Sequence, residues 1–316
     1  MKNSTSHSDQ VFKVAALYHF AVIEDPTALK PQILEQAESC GLKGTILLAK
    51  EGINGTIAGT ADGIDSMISY LRSIPQFSKL EVKYSEASAM PFLRMKVRLK
   101  KEIVSMGVDG VDAANDKGNY VDPAEWNRLI SDPETIVIDT RNDYEVAIGS
   151  FAGAINPSTE TFRDFPAWFD EFSNELREKS DKEPKIAMFC TGGIRCEKAT
   201  AYVKAQGFED VHHLQGGILK YLEHVPEKDS QWTGDCFLFD QRVAVGHGLK
   251  EGNYEQCHAC RMPLDLEQQA SDKYVPGESC PHCYDKRTDE QRARYRERQR
   301  QVDKAAAEGR HHLGDG

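Results

Sequence analysis

The sequence has no apolar run approaching the roughly 20 residues that cross a bilayer. Its longest candidate, Val14 to Ile23, is broken by His19 and reads as a core strand, so no membrane partner is expected. The first ten residues, MKNSTSHSDQ, contain no apolar stretch of the kind that marks a secretory leader, and residues 1–10 are expected to be disordered. There is no internal repeat. No glycine-rich nucleotide fingerprint opens a helix and no two-histidine-one-carboxylate spacing would hold iron, so the chain carries no motif for a flavin, haem or nucleotide. Positive charge is also scarce: 39 Lys and Arg against 50 Asp and Glu leave a net charge of −11. That balance argues against general attraction to nucleic acid, but phosphate binding needs only a local patch. Two basic stretches exist, Arg94 to Lys101 (RMKVRLKK) and Lys286 to Arg300 (KRTDEQRARYRERQR), and charge alone leaves the question open.

With 40% hydrophobic and 28% charged residues, the composition is that of a globular protein able to bury a sizeable core, and 316 residues suggest two or three domains. Eight cysteines could form a disulfide framework, but their arrangement argues otherwise. Four fall in two Cys-x-x-Cys pairs, two flank one loop, and Cys40 and Cys236 stand alone. Without an export signal, thiolate chemistry in a reducing, cytoplasmic setting is the expectation.

Residues 11–105 read as an α+β unit. A strand from Val11 to Ile23 enters a turn at Asp25-Pro26, a helix spans Pro31 to Cys40, and strands Lys43 to Ala49 and Gly55 to Ala58 flank a tight turn signalled by Asn54-Gly55. A helix with Ile64, Met67, Ile68 and Leu71 on one face follows, then strands at Leu80 to Tyr84 and Met95 to Leu99. The order βαββαβ predicts a ferredoxin-like sandwich. Residues 106–121 read as a linker rich in Gly, Asp and Asn. In residues 122–225, a helix opens at Asp122-Pro123 and buried strands lie at Thr135 to Asp139, Lys185 to Phe189 and Val211 to Leu214. The last two alternate with helical patterns at Glu197 to Gly207 and after Gly216-Gly217, which predicts a parallel α/β domain. Residues 226–288 change to turns, cysteines and aromatics, and 289–316 form a charged helical or disordered tail.

The chemistry concentrates at Cys190-Thr-Gly-Gly-Ile-Arg195. Cys190 follows a buried strand and precedes a helix, which places it at the carboxyl edge of the sheet, where α/β proteins bind ligands. Gly192 and Gly193 let the backbone curl so that N–H groups from Thr191 through Ile194 to Cys196 point inward. Such a cradle favours an anion, here the Cys190 thiolate or a group it carries. With Arg195 beside it, the thiol should ionise below the usual pKa of about 8.5. A buried, inert cysteine is the plain alternative, but it leaves the paired glycines and the arginine unexplained. Cys196 either resolves an oxidised Cys190 as a disulfide or is a small residue in the first helical turn.

The segments Asp139-Thr-Arg141-Asn-Asp-Tyr-Glu145, Gly153-Ala-Ile-Asn-Pro157, the Cys190 loop and Leu214-Gln-Gly-Gly217 resemble rhodanese domains over residues 120–225. That resemblance implies a persulfide-carrying Cys190 and, in Asp139 and Arg141, residues that support the fold around the loop. A related phosphatase loop has five residues between Cys and Arg. Four stand here, Thr191 to Ile194, which matches the tighter sulfur-handling loop. With Ala49-Lys-Glu-Gly-Ile-Asn-Gly-Thr56, Pro91-Phe-Leu-Arg-Met-Lys-Val-Arg98 and the C-terminal cysteine pairs, the likeness extends over nearly the whole chain. It resembles the rhodanese-domain tRNA uridine hydroxylases. The resemblance implies oxygen-dependent 5-hydroxylation of uridine 34, with molecular oxygen as co-substrate, tRNA as partner and Cys190 as the essential thiol. A sulfurtransferase carrying a cysteine persulfide, or a non-catalytic RNA-binding scaffold, are the alternatives.

Cys257-His-Ala-Cys260 and Cys280-Pro-His-Cys283, with 19 residues between the pairs, have the spacing of a four-cysteine structural zinc site in a small zinc-ribbon-like module. Disulfides or free thiols are the other readings. Asn54, Arg94, Lys96 and Arg98 are candidate RNA contacts, the last three alternating along one strand face. A plain hairpin and a solvated charged face explain the same residues without RNA. Trp168 and Trp232 read as core or interface residues.

Overall fold

The computed structural model describes residues 11–87, 90–179, 183–240 and 242–307, so the expectations for residues 1–10 and for the end of the tail fall outside the described residues. The chain divides into two compact units, one comprising residues 1–105 with 113–115, the other 106–112 with nearly everything from 116 onward.

In the first unit the elements run β1 (Phe12–Phe20), α1 (Pro26–Ser39), β2 (Lys43–Ala49), β3 (Gly52–Gly59), α2 (Ala61–Ser73), β4 (Glu81–Ala87) and β5 (Met95–Leu99). The sheet order β4-β1-β3-β2-β5 is the expected ferredoxin-like arrangement with one extra strand, β5, added parallel to β2. Ala15, Leu17, Ile46, Leu48, Ile53, Ile57 and Val97 of the sheet pack with Ile33 and Ala37 of α1 and with Ile64, Met67, Ile68 and Leu71 of α2.

Two local readings are corrected. Asn54-Gly55 is not the turn: it lies mid-strand in β3, paired with Leu47 and Ile46 of β2, and the turn is Lys50-Glu51. Burying Ile53 and Ile57 is worth about 1.5–3 kcal/mol each, which outweighs a dipeptide turn preference. Gly55 is needed for close approach, since a Cβ there would stand 2.4 Å from the Thr45 carbonyl oxygen. Helix α1 also starts earlier than expected, because Asp25 accepts hydrogen bonds from the N–H groups of Thr27 and Ala28 and Pro26 fills the first turn.

The second unit contains β6 (Asn119–Val121), α3 (Pro123–Ile130), β7 (Thr135–Asp139), α4 (Asp143–Val146), β8 (Gly149–Phe151), α5 (Phe165–Lys179), β9 (Lys185–Phe189), α6 (Ile194–Ala205), β10 (Val211–Leu214) and α7 (Gly217–His224). Its main sheet, β6-β10-β9-β7, is parallel throughout, as expected. The segment read as a linker therefore contains a strand: β6 pairs with β10 from Asn119 to Val121, too short a run to show an alternating pattern. Helix α6 begins at Ile194 rather than Glu197, so the loop arginine already sits in the first helical turn. Phe151 binds one side of the sheet together, packing edge-on against Phe189, Tyr221 and Trp232 at 4.8 to 5.1 Å. Trp232 is a core residue, as expected, and Trp168 stacks on Phe172 at 4.9 Å.

Beyond α7 come β11 (Trp232–Gly234), paired with β8, and the hairpin of β12 (Cys236–Phe237) and β13 (Ala244–Val245). They are followed by the pair β14 (Glu255–Gln256) and β15 (Pro263–Leu264), α8 (Leu266–Gln269) and the charged helix α9 (Asp289–Ala307). Helix α9 is tied back by Arg296, which holds Glu278 through two hydrogen bonds of 2.7 and 2.5 Å. Among the described residues no helix is long and apolar enough to cross a membrane.

Candidate active site

Strands β7 and β9 are neighbours in the sheet and end together, so the polar segments after Asp139 and after Phe189 meet at its carboxyl edge. Thr140 fastens the two strand ends, its N–H and hydroxyl both donating to the Phe189 carbonyl at 3.0 and 3.1 Å. Helix α7 supports the loop from outside. The N–H groups of Ile218 and Leu219 donate to the carbonyls of Cys190 and Thr191 at 3.0 and 3.2 Å. With these carbonyls turned toward α7, the Gly193 N–H donates to Cys190 Sγ at 3.1 Å. Gly217 makes the support possible: with φ +66°, a Cβ there would lie 2.5 Å from the Cys190 oxygen.

Cys190 is fully buried. Burial is the largest influence on its thiol and opposes ionisation. The side-chain hydrogen bond from Cys196, the charge of Arg195 and the N–H groups of Cys196 and Gly193 outweigh it and bring the thiol from its ordinary 9.0 to about 5. Cys196 moves the other way: burial and the adjacent Cys190 anion push its thiol well up. Of the two sulfurs, Cys190 is therefore the one favoured as thiolate and Cys196 the one favoured as thiol. Thr140 Oγ1 touches Cys196 Sγ at 3.5 Å.

Arg195 is held by a residue the sequence reading had not singled out. Glu145 grips its guanidinium with two bonds, Nη1 to Oε2 at 2.6 Å and Nη2 to Oε1 at 2.7 Å, and accepts from the Thr191 hydroxyl at 3.1 Å. Burial works against the Glu145 carboxylate, but Arg195 and then Arg141 hold it below the usual carboxylate range. Glu145 comes from the short helix α4, and its carboxylate also accepts the Asn142 N–H at 3.1 Å, which fixes its direction. A fixed partner stops Arg195 from collapsing onto the sulfur while leaving its charge beside it.

Asp139 and Arg141 form a buried ion pair below the loop. Arg141 donates to Asp139 through Nε at 2.9 Å and Nη2 at 2.6 Å, and to the carbonyls of Glu145 and Gly149 at 3.1 and 2.6 Å. The lone Cys236 also belongs here: it is fully buried in β12 with its side chain against Thr191, and burial pushes its thiol up to about 12.

The candidate RNA residues lie in the first unit. Lys96 and Arg98 flank buried Val97 on β5 and so face away from α1 and α2, with Arg94 one residue before the strand. Arg94 and Arg98 are exposed and Lys96 is half-buried. The Asn54 amide donates to the Ile103 carbonyl at 2.8 Å and is committed inside the unit.

The two cysteine pairs converge. The sulfurs of Cys257, Cys260, Cys280 and Cys283 all lie within 4.8 Å of one another, with Cys260 to Cys280 at 3.6 Å and Cys280 to Cys283 at 3.8 Å. Tetrahedral zinc with Zn–S near 2.3 Å separates its sulfurs by about 3.8 Å, so this donor set can hold a metal ion of that kind. None of the eight cysteines is in a disulfide.

Comparison with known proteins agrees with this architecture. Residues 12–103 match the UPF0176 acylphosphatase like domain and residues 122–224 the Rhodanese-like domain. A tRNA uridine(34) hydroxylase of Rhizobium leguminosarum bv. trifolii (strain WSM2304) is 58% identical over 314 residues, 99% of this chain and 100% of its own. Proteins of the same name from Gluconobacter oxydans (strain 621H) and Agrobacterium fabrum are 56% and 57% identical, covering 98% and 96% of this chain and 98% and 95% of theirs. The chain belongs to the tRNA uridine(34) hydroxylase family.

Proposed function

We propose that this protein hydroxylates uridine 34 of tRNA at ring carbon 5, with molecular oxygen as co-substrate, a two-electron donor that reduces the second oxygen atom to water, and the Cys190 thiolate as the essential group. The observation that carries the role of Cys190 is its cradle: a buried thiolate faced by the Gly193 N–H, the Cys196 side chain and a clamped Arg195. Full-length kinship with proteins named for that reaction supports the substrate and the position. Lys96 and Arg98, with Arg94, supply cations for RNA phosphates, and the reaction takes place in the cytoplasm. Cys257, Cys260, Cys280 and Cys283 hold a structural zinc, since four thiolates leave no ligand position for substrate.

The test is mass spectrometry of anticodon nucleosides from cells lacking the protein, complemented with wild type or Cys190→Ala. Loss of 5-hydroxyuridine-derived nucleosides that only wild type restores supports the proposal. Unchanged nucleosides in a strain without any parallel route to them refute it. The four-residue loop favours one second reading, transfer of a persulfide sulfur carried on Cys190. The same spectra decide, because thiolation exchanges oxygen for sulfur whereas hydroxylation adds oxygen.

A further inference from the structure

The hairpin of β12 and β13 stands beside the Cys190 loop, and the residue at its tip is unlike its neighbours. Cys236 is buried against Thr191, and Phe237 packs edge-on at 5.3 Å against Tyr144, the residue before Glu145. Phe237 and Leu238 are 1% and 5% exposed, whereas Phe239 is 69% exposed, the highest value for a large apolar side chain among the described residues. Phe239 is not a frayed end. Its ring rests edge-on against Phe237 at 5.1 Å. The tip is closed by the Leu238 N–H on the Val243 carbonyl at 2.7 Å and the Val243 N–H on the Asp240 carbonyl at 3.2 Å. Asp240 also grips Arg242, accepting from its N–H at 3.0 Å, Nε at 3.1 Å and Nη2 at 2.5 Å. Val243, a β-branched residue, is held at φ +61°, a conformation that persists only where the surroundings enforce it. An aromatic ring is therefore presented to solvent two ring contacts from Tyr144.

We propose that Phe239 is a stacking platform for an unpaired base of the substrate RNA, the base next to the one that enters the active site. This rests on the tRNA reading above and names how that substrate is gripped. An enzyme acting on a base must draw it out of its stack, which exposes the face of the neighbouring base to water. An exposed ring on the hairpin that neighbours the reactive loop covers that face, and aromatic stacking is the usual means of holding single-stranded RNA bases. The edge-on contact with Phe237 supports the ring on one side before RNA arrives, which lowers the ordering cost of binding.

The experiment measures anisotropy of a labelled anticodon stem-loop, with uridine at the first anticodon position, binding to the full-length protein. Wild type is compared with Phe239→Trp, Phe239→Leu and Phe239→Ala. Wild type and the tryptophan variant should bind alike, while leucine and alanine weaken binding about 5- to 150-fold. Removing the base on either side of the target uridine should, at one of the two positions, bring wild type down to the alanine level and leave the alanine variant unmoved. Titration of the Cys190 thiolate should be the same in all four proteins, separating base contact from damage to the site. Equal affinities across the four overturn the proposal while leaving the tRNA reading standing. If wild type fails to bind the stem-loop at all, that reading falls and takes this one with it. Loss of self-association in Phe239→Ala, seen by sedimentation with RNA affinity unchanged, assigns the ring to a protein interface and overturns the proposal.

Discussion

If Cys190 is a thiolate in the folded protein, its ionisation must appear in the pH dependence of stability. The cradle lowers the thiol from 9.0 to about 5, and each power of ten in proton affinity is worth about 1.4 kcal/mol, so the coupling amounts to about 5 kcal/mol in all. A group whose pKa is depressed by folding stabilises fully above its unfolded value and loses that contribution as pH falls through its folded value. The contribution is therefore complete above pH 9, about 3 kcal/mol at pH 7, and gone below pH 5. Cys190→Ser keeps the size of the side chain but removes the ionisation. Urea unfolding followed by tryptophan fluorescence reports on the relevant unit, because Trp126, Trp168 and Trp232 all belong to the second unit. The difference in stability between wild type and Cys190→Ser should grow by about 1.4 kcal/mol per pH unit between pH 5 and pH 9. Cys196→Ala, which removes the largest favourable influence on the thiolate, should shift that window to higher pH. A difference that stays flat from pH 5 to pH 9 would refute the anion cradle.

Two further outcomes are expected. Gly217→Ala places a methyl group 2.5 Å from the Cys190 oxygen and 2.6 Å from the Thr191 oxygen at φ +66°. It should lower stability by about 1–3 kcal/mol and raise the Cys190 thiol above about 5 in an ultraviolet thiolate titration, while Gly207→Ala, where a Cβ meets nothing within 4 Å, leaves that titration unchanged. Chelation, or Cys280→Ser, should abolish zinc binding measured by elemental analysis. Both should speed amide exchange around Cys257, Cys260 and Cys283 while β7 and β9 stay protected.

The reactive loop was legible because its chemistry is local: the cysteine, both glycines and the arginine lie within six residues, between an apolar strand and a helix. Glu145 was not, because its meaning comes from Arg195, 50 positions away, and only the pairing of β7 with β9 brings them together. Cys236 was unreadable for the same reason, its neighbour Thr191 being supplied by a different element. Asn54-Gly55 misled because the dipeptide that favours a turn also supplies a side-chain-free position, and the sheet needed the latter. The convergence of the four C-terminal cysteines could be read from spacing alone, since a four-sulfur site constrains its members more tightly than any packing preference does.

The complete burial of Cys190 has a consequence for how this protein responds to electrophiles. Reaction with an alkylating probe needs contact as well as charge, so the rate is the intrinsic thiolate rate multiplied by the fraction of time the loop stands open. A cysteine whose thiol is lowered by its surroundings but wholly buried will therefore be scored as sluggish in surveys that rank cysteines by labelling speed.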